Sequence, residues 1–224
     1  MTNEGIAATQ QFYTRWARLY DAVAARTPGI GHLRERAVAA LAPRVGDTVL
    51  DLGCGTGANF RYLRERVGLE GTVVGVDFTP GMLTQARRRI ERAGWRNVLV
   101  VRGDAARPPV READAAFASF VSGMLEDPAG AVGEWAQLVG PGGRLGLLDL
   151  TSSVGASRPL NALFRALVAV SSPRGTSSRY VDSPTRVLDR RVSAAHRALS
   201  GVSGEVTSES RALGFVRVSA GRVR

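Results

Sequence analysis

The 224-residue chain contains no lysine: all 30 of its basic side chains are arginine. It has one cysteine, two histidines and few aromatic residues (6%). Each scarcity removes a class of chemistry. A single cysteine, Cys54, makes no internal disulfide, and no Cys/His cluster has zinc-ligand spacing, so no metal site is expected. Without a lysine after its glycines, the chain has no P-loop, whose grip on phosphate needs that ammonium. No apolar run approaches the ~18 residues of a membrane span. The opening residues, "MTNEGIAATQQ", lack the basic and apolar regions of a secretory signal. A soluble, cytoplasmic protein is the expectation. The formal net charge of +10 is compatible with nucleic acid, an anionic membrane surface or an acidic substrate as partner. The arginines, however, are spread along the chain, with only short clusters such as residues 87–96. Charge alone therefore selects no partner.

A hydrophobic content of 44% is ample for a packed core, and the length suits one domain with a small cap. Residues 9–26 place Phe12, Trp16, Leu19, Tyr20 and Val23 on one helical stripe; residues 32–43 read as a second helix ended by Pro43. The period then changes. Strands are predicted at 47–53, 71–78, 97–104, 113–120 and 144–150, alternating with helices at 58–67, 80–94 and 127–143. Such alternation predicts an α/β, Rossmann-like sheet, mostly parallel, with helices on both faces. After residue 150 the rhythm breaks into Ser/Gly/Pro-rich loops around an apolar segment, 160–170. A helix follows at 184–200, with Ser183 as cap and Pro184 in its first turn, and then two strands turning near Gly214. The expectation is one domain over 1–224 with seven strands. It comprises an N-terminal helical cap (1–43), a core (44–150), a lid or insertion (151–182), and a last helix with an antiparallel hairpin (183–224).

The segment "VLDLGCGTG" (49–57) carries the chemistry. Gly53, Gly55 and Gly57 lie between a strand and a helix, where backbone N–H groups and the helix N-terminus face a ligand. Gly53-x-Gly55-x-x-Ala58 also fits a dinucleotide fingerprint, and Asp77 would hold ribose hydroxyls in either scheme. Asp51 separates the two. A carboxylate two residues before the first glycine repels a pyrophosphate and attracts a ligand bearing ammonium and sulfonium groups. The ligand so described is S-adenosylmethionine.

"VLDLGCGTG", "VVGVDFTPGMLTQAR", "VRGDA" and "LVGPGGRLGLLDL" together resemble the class I S-adenosylmethionine-dependent methyltransferases, in particular the ubiquinone/menaquinone-biosynthesis-like (methyltransferase type 11) group. The resemblance covers residues 10–150 and returns at 205–220. It implies that Asp51, Gly53, Cys54, Gly55 and Gly57 line the methionine end of the cofactor, with Cys54 packing in the turn rather than acting as a nucleophile. It implies ribose hydroxyls on Asp77, adenine against Phe78 and Met82, and the adenine amino group at Gly103, Asp104 and Ala105. Ser119 and Phe120 would face the sulfonium and the acceptor, and Tyr20, with Tyr13, would close over the cofactor.

Bases are scarce. His32, which opens the second helix, and Asp149, which ends the fifth strand, are the candidate catalytic residues; His196 reads as structural. The acceptor pocket is expected from the first two helices and the 151–182 excursion. Its apolar segment, with Arg158 and Arg165, is suited to line a greasy pocket or to lie at a membrane surface with its arginines at lipid headgroups. A small-molecule or lipid-like methyl acceptor such as a quinone precursor is therefore expected. The alternatives are a phospholipid or nucleic-acid methyltransferase and a binding protein without turnover. Against nucleic acid, the fourth strand ends in "SFVSG" rather than the [DN]PP[YF] run of amino-methylating enzymes. Oligomeric state is left open, a dimer being compatible.

Overall fold

A computed structural model describes residues 29–153, 158–165 and 183–224. The predicted helix at 9–26, with Tyr13 and Tyr20, lies outside the described residues, as does most of the 151–182 segment. Seven strands form one sheet: β1 (Thr48–Leu52), β2 (Thr72–Asp77), β3 (Val98–Arg102), β4 (Ala115–Ser119), β5 (Arg144–Leu150), β6 (Ser203–Arg211) and β7 (Val216–Val223). Their order is β3-β2-β1-β4-β5-β7-β6. The first five are parallel, and β7 runs antiparallel between β5 and β6. The central strands are near-continuous apolar runs because both of their faces are covered. Chain order reverses between β1 and β4. In open α/β sheets ligands bind outside the carboxyl ends of such a pair, which here carry Asp51 and Ser119.

Helices α1 (Ile30–Leu41), α2 (Phe60–Val67) and α3 (Pro80–Ala93) cover one face, on a core that includes Leu41, Phe60, Leu63, Leu83, Phe117 and Leu148. Helices α4 (Pro128–Val139) and α5 (Pro184–Val202) cover the other, around Leu50, Leu52, Trp135, Leu145 and Leu199. Helix boundaries follow local chemistry. α1 stops at Leu41 because Pro43 disfavours the helical conformation at Ala42, which takes φ 52. α4 stops at Val139, at the glycine-rich end of the predicted 127–143 segment, because Gly140 turns out of the helix with φ 66. Asp127 Oδ1 accepts the Gly130 N–H at 2.9 Å, and the Ser183 hydroxyl caps α5 by accepting the Arg186 N–H.

The C-terminal hairpin is tied to this frame by a chain of polar groups that is buried at Asp149, His196 and Ser219 and reaches the surface at Ser208. Asp149, near the end of β5, places Oδ2 3.3 Å from His196 Nε2 of α5. His196 Nδ1 lies 2.7 Å from the Ser219 hydroxyl of β7, which lies 3.0 Å from the Ser208 hydroxyl of β6. One line of contacts thus joins three strands and the helix packed across them. Replacing His196 by leucine leaves the Asp149 carboxyl buried without its imidazole. The expected cost is about 3–5 kcal/mol, read as a melting temperature lower by on the order of 10 °C in thermal unfolding. The double variant Asp149→Leu, His196→Leu is expected to recover most of that loss, because no unpaired polar group is left behind.

Candidate functional site

The glycine bend after β1 is built from three left-handed residues, Gly53, Gly55 and Gly57, with φ of 64°, 55° and 78°. Their surroundings differ. A Cβ on Gly53 would stand 2.5 Å from Val121 Cγ2, and one on Gly57 2.4 Å from Phe60 Cε2. A Cβ on Gly55 would meet no atom of the described residues within 4 Å, so this glycine borders open space while its neighbours are packed. Cys54 turns away from that opening. Its N–H donates to the Val76 carbonyl at 3.0 Å, and its Sγ fills the space beside Gly75. Burial, reinforced by Asp51 and Asp77, pushes the thiol pKa well up, so Cys54 is a packed, protonated side chain.

Asp51 stands at the floor of the bend, fully buried. Its Oδ1 accepts from Asn59 Nδ2 at 2.8 Å, whereas Oδ2 is buried with no hydrogen-bond partner among the described residues. Burial raises its pKa from 3.8 to about 7, against the opposing pull of Asn59 and Arg34; Asp77 adds to the rise. Asp77, at the end of β2, is also raised by burial. It accepts the Gly55 N–H on Oδ2 at 3.0 Å and the Thr79 N–H on Oδ1 at 2.8 Å, which fixes its carboxylate against the bend.

Two further residues complete the floor, and neither was singled out from the sequence. Asn59 stands at the residue before α2 without a capping side-chain bond, and its amide joins Asp51 to Arg34 and Ser119: Oδ1 accepts from Arg34 Nη1 at 2.5 Å, and Nδ2 donates to the Ser119 hydroxyl at 2.9 Å. Arg34 Nη1 also donates to the Ser119 hydroxyl at 3.1 Å, and its guanidinium carbon lies 5.1 Å from the Phe120 ring centroid. A signal for Arg34 was present. It shares the stripe of Ala37, Val38 and Leu41 on α1, where an arginine is out of character.

The remaining expected residues are distributed as follows. Phe78 and Met82 flank the start of α3, Met82 buried and Phe78 half-buried. Gly103 donates its N–H to the Asp77 carbonyl at 3.1 Å, which brings the loop after β3 to the end of β2. In that loop Asp104 is exposed and accepts the Ala106 N–H, and the Ala105 carbonyl accepts from Trp135 Nε1. Ser119 and Phe120 close β4, Phe120 with a left-handed φ of 59°. Two catalytic assignments fail on placement. His32 lies on the opposite side of α1 from Arg34, 68% exposed and 3.9 Å from Glu35, because two residues along a helix turn a side chain by roughly 200°. Asp149 points to the other sheet face, beneath α5, where His196 occupies it. Among the described residues no group of three His, Cys, Asp or Glu could hold a metal ion, and no helix is long and apolar enough to cross a membrane.

This arrangement fits S-adenosylmethionine. The unpartnered Asp51 oxygen suits its ammonium, the clearance over Gly55 leaves room for the chain leading to sulfur, and the fixed Asp77 carboxylate retains lone pairs for two vicinal hydroxyls.

Comparisons with known proteins agree with that fit. Residues 49–143 match the model of a methyltransferase domain. Aklanonic acid methyltransferase from Streptomyces sp. (strain C5) is 38% identical over 105 residues, 46% of this chain and 48% of that protein. Demethylmenaquinone methyltransferase from Corynebacterium kroppenstedtii is 36% identical over 149 residues, 62% of this chain and 61% of that one. The chain thus spans about half to three-fifths of the length of these relatives. A crystal structure of an S-adenosylmethionine-dependent methyltransferase from Aquifex aeolicus superposes with a TM-score of 0.66 at 17% identity, covering 94% of this chain and 98% of that one.

Two outcomes are expected from this geometry. Gly57→Val should lower the melting temperature through its collision with Phe60. Gly55→Ala, whose Cβ meets no atom of the described residues, should instead cost a backbone penalty of about 1–2 kcal/mol and weaken S-adenosylhomocysteine binding at least ~10-fold in calorimetry. The second concerns pH. Asp51 must be ionised to attract an ammonium, so affinity should fall up to ~10-fold per unit as pH drops below about 7 and level off above it. Protonation of Asp51 stabilises the ligand-free fold, a contribution present at acid pH and lost as pH rises through 7. Asp51→Asn should therefore raise the melting temperature of the free protein at pH 8 while abolishing the pH dependence of binding.

Proposed function

We propose that this chain, whose residues 49–143 match a methyltransferase domain, transfers a methyl group from S-adenosylmethionine to a small or lipid-like acceptor. The observation carrying the proposal is the buried, half-satisfied Asp51 carboxylate behind the glycine bend, a site that favours a cationic amino-acid end over a diphosphate. When bound, S-adenosylmethionine supplies a methyl group on a sulfonium, an electrophile that needs no further activation. In this reading the protein contributes placement. Asp51 and the bend hold the methionine end, Asp77 the ribose, and Phe78, Met82 and the Gly103–Ala105 turn the adenine. Ser119 and Phe120 border the acceptor side. Because His32 and Asp149 both stand away from the crevice, catalysis rests on in-line positioning, an effect that reaches several kcal/mol without a general base.

We place the acceptor on the side of residues 158–165. Leu160 and Leu163 are exposed there, and Phe164 packs on Phe215 with ring centroids 5.3 Å apart. An apolar lip of this kind supports a hydrophobic acceptor. The names of the two relatives, one for an acid and one for a menaquinone precursor, support an acidic or hydroxyl-bearing organic molecule of that character. We place the protein in the cytoplasm.

Two measurements check this reading. Titration calorimetry should give a micromolar dissociation constant for S-adenosylhomocysteine, and NADH should not compete. Incubation with methyl-labelled S-adenosylmethionine and fractionated extract of the source cells should place label in the lipid-soluble fraction. Label confined to RNA would overturn the acceptor assignment, and absence of label in every fraction would leave a binding protein without turnover.

A further inference from the structure

Between α2 and the end of α3 lies a cavity of about 430 Å³, lined by Arg61, Arg89, Arg92, Ala93 and Trp95. Three arginines thus border one space, and none of the described residues lining it is acidic. The flank around it is basic as well. Residues 60–67 and 80–96 hold eight arginines against two glutamates, Glu65 and Glu91, which places more than half of the formal net charge of +10 here. Among the described residues Arg61, Arg64 and Arg92 make no ion pair. Like charges gathered without a counter-charge repel one another, and an anion placed among them removes that cost. The walls are held in place. The Arg61 guanidinium carbon lies 4.2 Å from the Tyr62 ring centroid, and Arg61 Nη2 donates to the Tyr62 hydroxyl. Arg92 Nε donates to the Arg88 carbonyl at 3.1 Å, and Arg89 Nη1 to the Gly57 carbonyl at 3.3 Å. Trp95 is set by the end of α3: Gly94 turns left-handed with φ 64, and the Trp95 N–H returns to the Ile90 carbonyl at 3.2 Å. Arg64 steadies the indole, its guanidinium carbon 5.9 Å from the ring centroid and its Nε donating to Asn97 Oδ1 at 2.9 Å.

We propose that this cavity is a second ligand site, for a nucleoside monophosphate, with the phosphate on Arg61 and Arg92 and the base on the face of Trp95. A guanidinium carries five donors, and the bonds named above use one each on Arg61 and Arg92. The planar fork that remains matches the oxygens of a phosphate, and bonds between two charged groups are roughly twice as strong as neutral ones. Arg89 adds its charge, its Nη1 being engaged with the glycine bend. The volume falls in the range of small-molecule sites, roughly 300–1,000 Å³. An inorganic anion would leave the indole without a partner. A nucleic-acid strand fits less well, because strand binding draws on a succession of rings and Trp95 is the one aromatic residue among those lining the cavity. None of the five belongs to the set assigned to S-adenosylmethionine, so the two ligands bind side by side.

The test is calorimetry on the full chain at low salt, with S-adenosylhomocysteine saturating so that a nucleoside does not report from the cofactor crevice. Guanosine 5′-monophosphate should bind ~10-fold or more tighter than either guanosine or inorganic phosphate. Arg61→Gln combined with Arg92→Gln should weaken the monophosphate by ~10–100-fold. Both side chains are exposed, so this variant should keep the wild-type melt and the wild-type affinity for S-adenosylhomocysteine. Trp95→Leu should weaken the monophosphate by ~10-fold and inorganic phosphate by less than about 3-fold. If Trp95→Leu fails to melt cooperatively, the arginine variant carries the test alone. Absence of monophosphate binding, equal affinity for guanosine and its monophosphate, or an affinity unmoved in the arginine variant would overturn the site. A 5′-phosphorylated single-stranded oligonucleotide that binds ~100-fold tighter than the monophosphate, with a steep salt dependence, would overturn the small ligand in favour of a strand.

Discussion

A buried carboxyl that lacks half of its hydrogen bonds is the constraint around which the molecule is arranged. Asp51 sits at the end of a central strand, under a bend that only left-handed residues can make, and burial holds its proton on until pH approaches 7. The free protein is therefore less stable than its core would allow. The deficit is concentrated where an incoming cation removes it, so affinity is drawn from instability. The neighbouring carboxylate, Asp77, faces the opposite situation. It is locked by two backbone N–H groups and does its work by being immobile.

Much of this was legible in the sequence because the chain states it locally. A run such as "VLDLGCGTG" specifies a strand, a turn and a helix start within nine residues, and Pro80, Pro128 and Ser183 mark the beginnings of their helices. The number of strands and the antiparallel tail hairpin followed from alternation and from the turn near Gly214, whereas the order of the strands in the sheet did not. Residues brought in from a distance were illegible. Arg34 lies 25 positions from Asn59 and 85 from Ser119. No periodicity records which charged side chain on an amphipathic helix is turned inward, although its place in the apolar stripe was a clue. The two expected bases misled for complementary reasons. His32 has the right chemistry on the wrong side of a helix. Asp149 has the right strand end on the wrong face, since side chains alternate along a strand and its neighbours Leu148 and Leu150 point the other way.

The two faces of the sheet divide the labour. On one, α1, α2 and α3 bring Arg34, Asn59, the glycine bend and Asp77 to a common edge. On the other, α4 and α5 pack Trp135 and Leu199 and close over the Asp149–His196 pair. On the first face Asp51 keeps one oxygen without a hydrogen bond, and on the second the Asp149–His196 contact is extended through Ser219 to Ser208. This separation explains how one small domain holds an unsatisfied site and remains a defined structure.

The position of β7 has a consequence for how the sheet is completed. It is the last strand in the chain, yet it occupies an interior slot between β5 and β6. During synthesis β5 therefore emerges long before the strand that covers its open side, and exposes a row of unpaired amides and carbonyls in the meantime. Those groups are vulnerable to pairing with a neighbouring nascent chain until the hairpin arrives. Conditions that slow translation over residues 151–202 would lengthen that exposure, so the yield of folded protein depends on the pace of its manufacture.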